Sequence, residues 1–274
     1  MKNYTAKIQK GSDVIRDYSE MKELTVHVGD IAHRIFLQSG FFEHSATPAN
    51  LHNHRYCEIH VVFSGILEFH VEGKQFRVEG GQAIIIPVGV YHSRLESEVE
   101  TRVSAFQVEM AAETVTVMPI GYACEMLRGE IAEYCTFGKS ARLALAVGLV
   151  CSYFYKGVCS APTPLYDREF IIYEFFSNNY DKDVSLADIA AQLRLSEKQA
   201  ERLIIKSTGM SFRRFIVSKR IENAKMLVRT EGISLGKAAE RVGYQSYSGF
   251  WKAFQSSDVE NSGDTDFAHI DDNG

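Results

Sequence analysis

Residues 52–65 read HNHRYCEIHVVFSG. His52, His54, Glu58 and His60 fall within nine residues, in a run that ends in the β-branched and aromatic residues typical of a strand. Side chains alternate across a strand with period two, so on a regular ribbon these four even-numbered residues point to one side. Imidazole and carboxylate together suit Zn, Mn, Fe, Ni or Cu. The stretch therefore predicts a β-ribbon that aims a metal-competent polar cluster into an interior. The same kind of sequence extends outward on both sides. Residues 25–110 contain short Val/Ile/Phe runs separated by glycine turns, among them ILEFHVEGK, QFRVEGG, QAIIIPVG and RVSAFQVEM. Such spacing predicts short strands forming a barrel or jelly roll.

The character changes after Met110. Residues 121–156 are rich in Ala, Leu, Met and Tyr at helical spacing. The longest uncharged apolar run, LALAVGLVCSYFY at 143–155, has 13 residues; it is too short to span a bilayer and reads as a buried helix. SAPTPLY at 160–166 holds two prolines and reads as a linker. Helices follow in DREFIIYEFFSNNY, SLADIAAQLR, SEKQAERLIIKSTG, SFRRFIVSKRIENAKMLVRT, SLGKAAERVG and SYSGFWKAF. Ser185 and Ser196 stand at N-cap positions, with Asp188 at the capping-box position of the first. A helix, short turn, helix pattern occurs twice, opened by Ser185 and Ser234. Ala190–Ala191 and Ala238–Ala239 are small enough to let the following helix cross closely.

The 274 residues carry 45% hydrophobic and 24% charged side chains, the balance of a soluble chain of one large or two ordinary domains. The net charge of −5 conceals a split. Residues 165–255 hold 15 Lys+Arg against 11 Asp+Glu, whereas residues 256–274 hold six acids and no Lys or Arg. A basic segment inside an acidic chain points to different partners for different parts. The five cysteines, Cys57, Cys124, Cys135, Cys151 and Cys159, form no CxxC and are odd in number. They predict reduced thiols and a cytoplasmic setting. The opening MKNYTAKIQKGSD is too polar for a signal peptide.

The N-terminal motifs resemble the cupin family. His52, His54, Glu58 and Gly65 match its first motif, G-x5-H-x-H-x3,4-E-x6-G, with Ala46 in place of the leading glycine. Gly81, Pro87, Gly89 and His92 match its second, G-x5-P-x-G-x2-H-x3-N, with Glu96 in place of the final asparagine. The resemblance implies a small β-barrel in which His52, His54, Glu58 and His92 hold a divalent metal, or line a plain ligand pocket where no metal is kept. His60 lies outside the motif and is either a pocket residue or an interior histidine.

The C-terminal stretch resembles the DNA-binding domain of AraC-type transcription regulators. The marks are the Ala-rich first helix, G-M-S-F at 209–212, R-I-x-x-A at 220–224, A-x-x-V-G-Y at 239–244 and F-x-x-x-F at 250–254. The resemblance implies two helix-turn-helix units joined by a linker helix at 211–228, placed to fill two successive major-groove segments. With Ala200, Leu203 and Ile204 forming the buried stripe, Lys198, Glu201, Arg202 and Lys206 are the DNA-facing candidates of the first unit. In the second, Phe250 and Phe254 are core, and Tyr247, Ser248, Trp251 and Lys252 are the candidates; Trp251 either faces DNA or packs inside. The family continues with a basic G-x-[ST]-P-x-x-[YF]-R segment, where this chain has SSDVENSGDTDF.

Together these readings predict a multidomain β + α chain. A cupin-type β-barrel (jelly roll) spans 1–115, a helical dimerisation connector 116–159 and a linker 160–166. An all-α double helix-turn-helix spans 167–255, and a disordered acidic tail 256–274. The expected function is a ligand-responsive, DNA-binding transcription regulator that acts as a homodimer on double-stranded DNA, away from membranes. Its effector is a sugar or other small metabolite. The competing expectation is a metal-dependent cupin enzyme, an isomerase or dioxygenase, with a helical appendage.

Overall fold

The computed structural model describes residues 22–28, 31–37, 41–97, 99–137, 142–155 and 167–260. The expected linker at 160–166 lies outside them, as does most of the expected tail. Among the described residues the chain begins with strands β1 (Lys22–Val28), β2 (Ile31–Leu37), β3 (His44–Ser45), β4 (Ala49–His52), β5 (Cys57–Ser64) and β6 (Ile66–Val71). It continues with β7 (Lys74–Glu79), β8 (Gln82–Ile86), β9 (His92–Arg94), β10 (Arg102–Val108) and β11 (Thr116–Pro119). They form two antiparallel sheets. The larger runs β1-β2-β10-β5-β8-β11, with β3 beside β10, and the smaller runs β4-β9-β6-β7.

The central strand β5 shows why the sheets face each other. Its odd residues Cys57, Ile59, Val61 and Phe63 join one core, and its even residue Val62 joins another with Leu67, Phe69 and Val71 of the opposite sheet. A strand buried on both faces needs cover on each. The outer cover comes from α1 (Gly121–Phe137) and α2 (Leu143–Phe154), whose Leu127, Ile131, Ala146, Val147 and Val150 pack with Ile59 and Phe106. The apolar run at 143–155 therefore forms a helix, but one buried on a single face: Leu145 and Tyr153 remain exposed. β11 pairs with β8, Thr116 opposite Ile85, so the β-domain runs to Pro119 and past the expected boundary at 115.

The C-terminal half is helical: α3 (Asp167–Asn179), α4 (Leu186–Leu193), α5 (Glu197–Thr208), α6 (Phe212–Glu231), α7 (Leu235–Arg241) and α8 (Tyr247–Glu260). Complete capping boxes, Ser185 with Asp188 and Ser196 with Gln199, open α4 and α5 and satisfy backbone donors that lack intrahelical partners. Ala190, Ala238 and Ala239 are buried at the helix crossings, whereas Ala191 faces out. α8 continues to Glu260, so residues 256–260 extend the last helix instead of starting a tail. The tail's small polar residues serve this: Ser256 Oγ donates to Lys252 O at 2.8 Å.

One turn ties the helical half together and joins it to the barrel. After α3, Arg220 of α6 donates Nε to Tyr180 O at 2.6 Å and Nη2 to Lys182 O at 2.8 Å. Gly243, after α7, presses against Asp181 between them, with a positive φ of 87°. On its other side the turn reaches β4: Tyr180 Oη donates to Leu51 O, and Asn50 Nδ2 to Asp181 Oδ2, both at 2.5 Å. Leu51 and Tyr91 of the barrel belong to the helical core. A ring stack of Phe36, Tyr56 and Phe170, with Phe36 4.6 Å from each, adds a second seam between the halves.

Candidate metal pocket and nucleic-acid interface

The histidine-rich stretch is not the single ribbon expected from its parity. β4 ends at His52 and β5 starts at Cys57, with a non-strand segment at 53–56 carrying His54. The cluster survives because two ladders bring its parts together. His52 pairs with His92 across β4 and β9, and Glu58 pairs with Ile86 across β5 and β8. Gly89 N donates to His54 O at 2.9 Å, tying the loop of the second motif to that of the first. As a result one ligand atom from each of His52, His54, Glu58 and His92 lies within 4.8 Å of the others. His60 sits beside them, Nε2 2.9 Å from Glu58 Oε2, with its ring against Phe69.

All five side chains are buried or nearly so. The outward nitrogen of each ligand histidine meets an oxygen: His52 Nδ1 is 2.6 Å from Asn50 O, and His92 Nδ1 is 3.0 Å from Val90 O. His54 Nδ1 is 3.0 and 3.1 Å from the two carboxylate oxygens of Glu174 on α3. An Nδ1–H donated outward leaves the lone pair on Nε2, and this is the arrangement in which a histidine ligates a metal. His54 Nε2 is buried with no hydrogen-bond partner, 3.4 Å from Glu58 Oε1. These residues fit a divalent transition metal: three imidazoles and one carboxylate, with the donor nitrogens already oriented. Without one, His54 is held between two carboxylates. Burial opposes its charge, but Glu174 and Glu58 outweigh burial and raise its pKa to about 10. Burial also opposes charge on Glu58, yet His54 and His60 hold it well below the usual carboxylate range. Burial lowers the pKa of His60, against the opposing pull of Glu58.

Glu174 and Gln107 were not legible as parts of this site. Glu174 is fully buried and also accepts from Gln107 Nε2 at 2.8 Å. That amide nitrogen is equally 2.8 Å from His54 Nδ1; with the Nδ1–H donating to Glu174, both groups are donors there and share the carboxylate as acceptor.

The helical half presents the other candidate surface. On α5, Ala200 and Ile204 are buried, Leu203 is half-buried, and Lys198, Arg202 and Lys206 are exposed along one side. Glu201 departs from the expectation: its carboxylate accepts from Phe212 N at 3.3 Å, which commits it to holding the start of α6. Ile205, 47% exposed, stands within the cationic stripe and was missed because an isoleucine reads as core. On α8, Phe250 and Phe254 are buried and Ser248 and Lys252 are exposed. Trp251 lies in an aromatic row, 6.1 Å from the Tyr247 ring and 5.8 Å from Phe254, and is partly exposed.

Comparison with known proteins divides the chain in the same way. A family model described as a cupin domain matches residues 42–103, and one described as a helix-turn-helix domain matches residues 189–257. An uncharacterised HTH-type transcriptional regulator of Escherichia coli K12, YidL, is 22% identical over 197 residues, covering 67% of this chain. The match spans 65% of that relative's length. Among solved structures, ToxT of Vibrio cholerae O395 aligns over 80% of this chain and 94% of its own, at 16% identity and a TM-score of 0.35. The C-terminal domain of the response regulator AraT of Geobacillus stearothermophilus aligns over 35% of this chain and 79% of its own, at 27% identity and a TM-score of 0.32. The two matched domains stand along the chain in the order cupin, then helix-turn-helix, the arrangement that the sequence motifs predict.

Proposed function

We propose that the protein is a ligand-responsive, sequence-specific DNA-binding transcription regulator. The observation that carries this reading is the α4–α5 pair. Both helices are opened by capping boxes and cross at a buried Ala190, and α5 turns Lys198, Arg202 and Lys206 outward. Such a helix suits the major groove: arginine pairs with guanine O6/N7, and lysine neutralises phosphate. Ile205 adds an apolar contact of the kind that suits a thymine methyl. Ser248, Trp251 and Lys252 of α8 would meet the next groove segment in the same chain.

In the barrel, His52, His54, Glu58 and His92 would hold a divalent transition metal, with His60 beside the pocket. A metal so held supplies open coordination positions for a small-molecule effector. Exposed Tyr122, Phe137 and Leu145 on α1 and α2 offer an apolar surface for a homodimer. The cupin-enzyme reading is less supported, because the domain matched at residues 189–257 is a DNA-binding module and the curated relative is an HTH-type regulator.

Arg202→Ala tests the base-reading role. It is expected to weaken binding to cognate DNA by roughly 1–3 kcal/mol and leave random-sequence binding nearly unchanged, measured by fluorescence anisotropy. An equal loss on both DNAs would make Arg202 a phosphate contact and remove this argument for sequence reading.

A further inference from the structure

We propose that Glu174, from the first helix of the DNA-binding half, is a positioning residue for the barrel's metal pocket, so that metal binding and docking of the two halves are one linked equilibrium. The inference rests on the metal reading of the pocket given above. Of the three ligand histidines, two are oriented by carbonyls of the barrel itself, Asn50 O and Val90 O. The third, His54, is oriented by a side chain 120 residues away in the other half. Glu174 has no exposed surface, so in the docked arrangement this carboxylate is out of water and set against His54, Gln107 and Asn178. Undocking the helical half would take the acceptor away from His54 Nδ1 and open the pocket wall.

The surrounding contacts place the other ligands on the same seam. His52 follows Leu51, whose carbonyl accepts from Tyr180, and Asn50, whose amide donates to Asp181. His92 follows Tyr91, whose hydroxyl donates to Glu222 of α6. Thus the immediate chain neighbours of two ligands, and the outer partner of the third, all touch the DNA-binding half. Outer hydrogen-bond partners of metal-bound histidines fix the ring and raise its basicity, and their loss typically lowers affinity by roughly 10–100-fold. Linkage then requires the converse. If docking strengthens metal binding by a given factor, metal strengthens docking by the same factor. Lys198, Arg202 and Lys206 remain exposed in the docked arrangement, so docking leaves the first reading face open.

The test uses the full chain and Co2+, whose d–d absorption reports the ligand field. Glu174→Gln keeps the size of the side chain and removes its charge. It is expected to lower Co2+ affinity by about 10–100-fold and to shift the absorption band, with total helix content by circular dichroism unchanged. Hydrogen exchange is measured on the wild type in parallel. Co2+ is expected to slow exchange of the α3 amides by a similar factor, and this effect should vanish in Glu174→Gln. Equal Co2+ affinity and an unshifted spectrum in the variant would overturn the link and leave the metal site standing. Absence of Co2+ uptake by the wild type would overturn both. If the variant does not fold, wild-type exchange decides: Co2+-dependent protection of α3 supports the link, and unchanged exchange overturns it.

Discussion

Gly243→Ala is expected to cost roughly 2–6 kcal/mol, made up of about 1–3 for a non-glycine residue at an unfavourable backbone angle and about 1–3 for overpacking. The residue stands at φ 87°, and a Cβ there would lie 2.3 Å from Asp181 O. That oxygen cannot swing aside as a flexible side chain would, because the flanking carbonyls of Tyr180 and Lys182 are held by Arg220. Gly209 provides the control. Its φ is 75°, but its Cβ position is open, so Gly209→Ala bears only the backbone part, about 1–3 kcal/mol, without the overpacking. Urea unfolding followed by the fluorescence of Trp251, the only tryptophan, reads the loss in the unit concerned. Equal midpoints for the two variants would contradict the close approach of this turn to the second helix-turn-helix unit.

The second large effect is expected in the pocket. His52→Ala with His54→Ala removes two of the four donors, and bound metal should fall by more than the roughly 10–100-fold typical of losing an outer partner. The double variant also leaves Glu58 and Glu174 without the imidazole between them. Breaking a buried charge pair in this way costs about 3–5 kcal/mol. His52→Ala alone leaves the Glu174–His54–Glu58 set in place and should lose metal without lowering metal-free stability to that degree. Metal content by elemental analysis and the melting temperature of the metal-free protein separate the two effects. Unchanged metal content in the double variant would reject the site.

The quartet was legible because its spacing is local: two short motifs, each within one loop and strand, carry all four donors. What sequence could not supply was the break in the ribbon at 53–56, since parity alone does not distinguish a continuous strand from one interrupted by an even number of residues. Glu174 was hidden for a different reason. Its partner lies in another domain, and a glutamate in DREFIIYEFFSNNY reads as a solvated charge. One signal was present: Glu174 follows Phe170 and Ile171 by one helical turn and so lies on the apolar stripe, where an ion needs a partner. The helices of the C-terminal half were legible through their serine caps, which act within four residues. Their motif residues gained a physical reason only from tertiary contacts, as with Arg220 and Gly243 gripping the turn after α3.

The most direct test of a metal-linked DNA-binding regulator is binding of the purified chain to DNA from upstream of its own gene, against random DNA, with and without a chelator. The expected result is preference for the upstream DNA, with an affinity or a protection pattern that changes when metal is stripped. Equal binding to both DNAs, or none, would contradict the regulator reading. Specific binding indifferent to the chelator would contradict the coupling between pocket and reading helices.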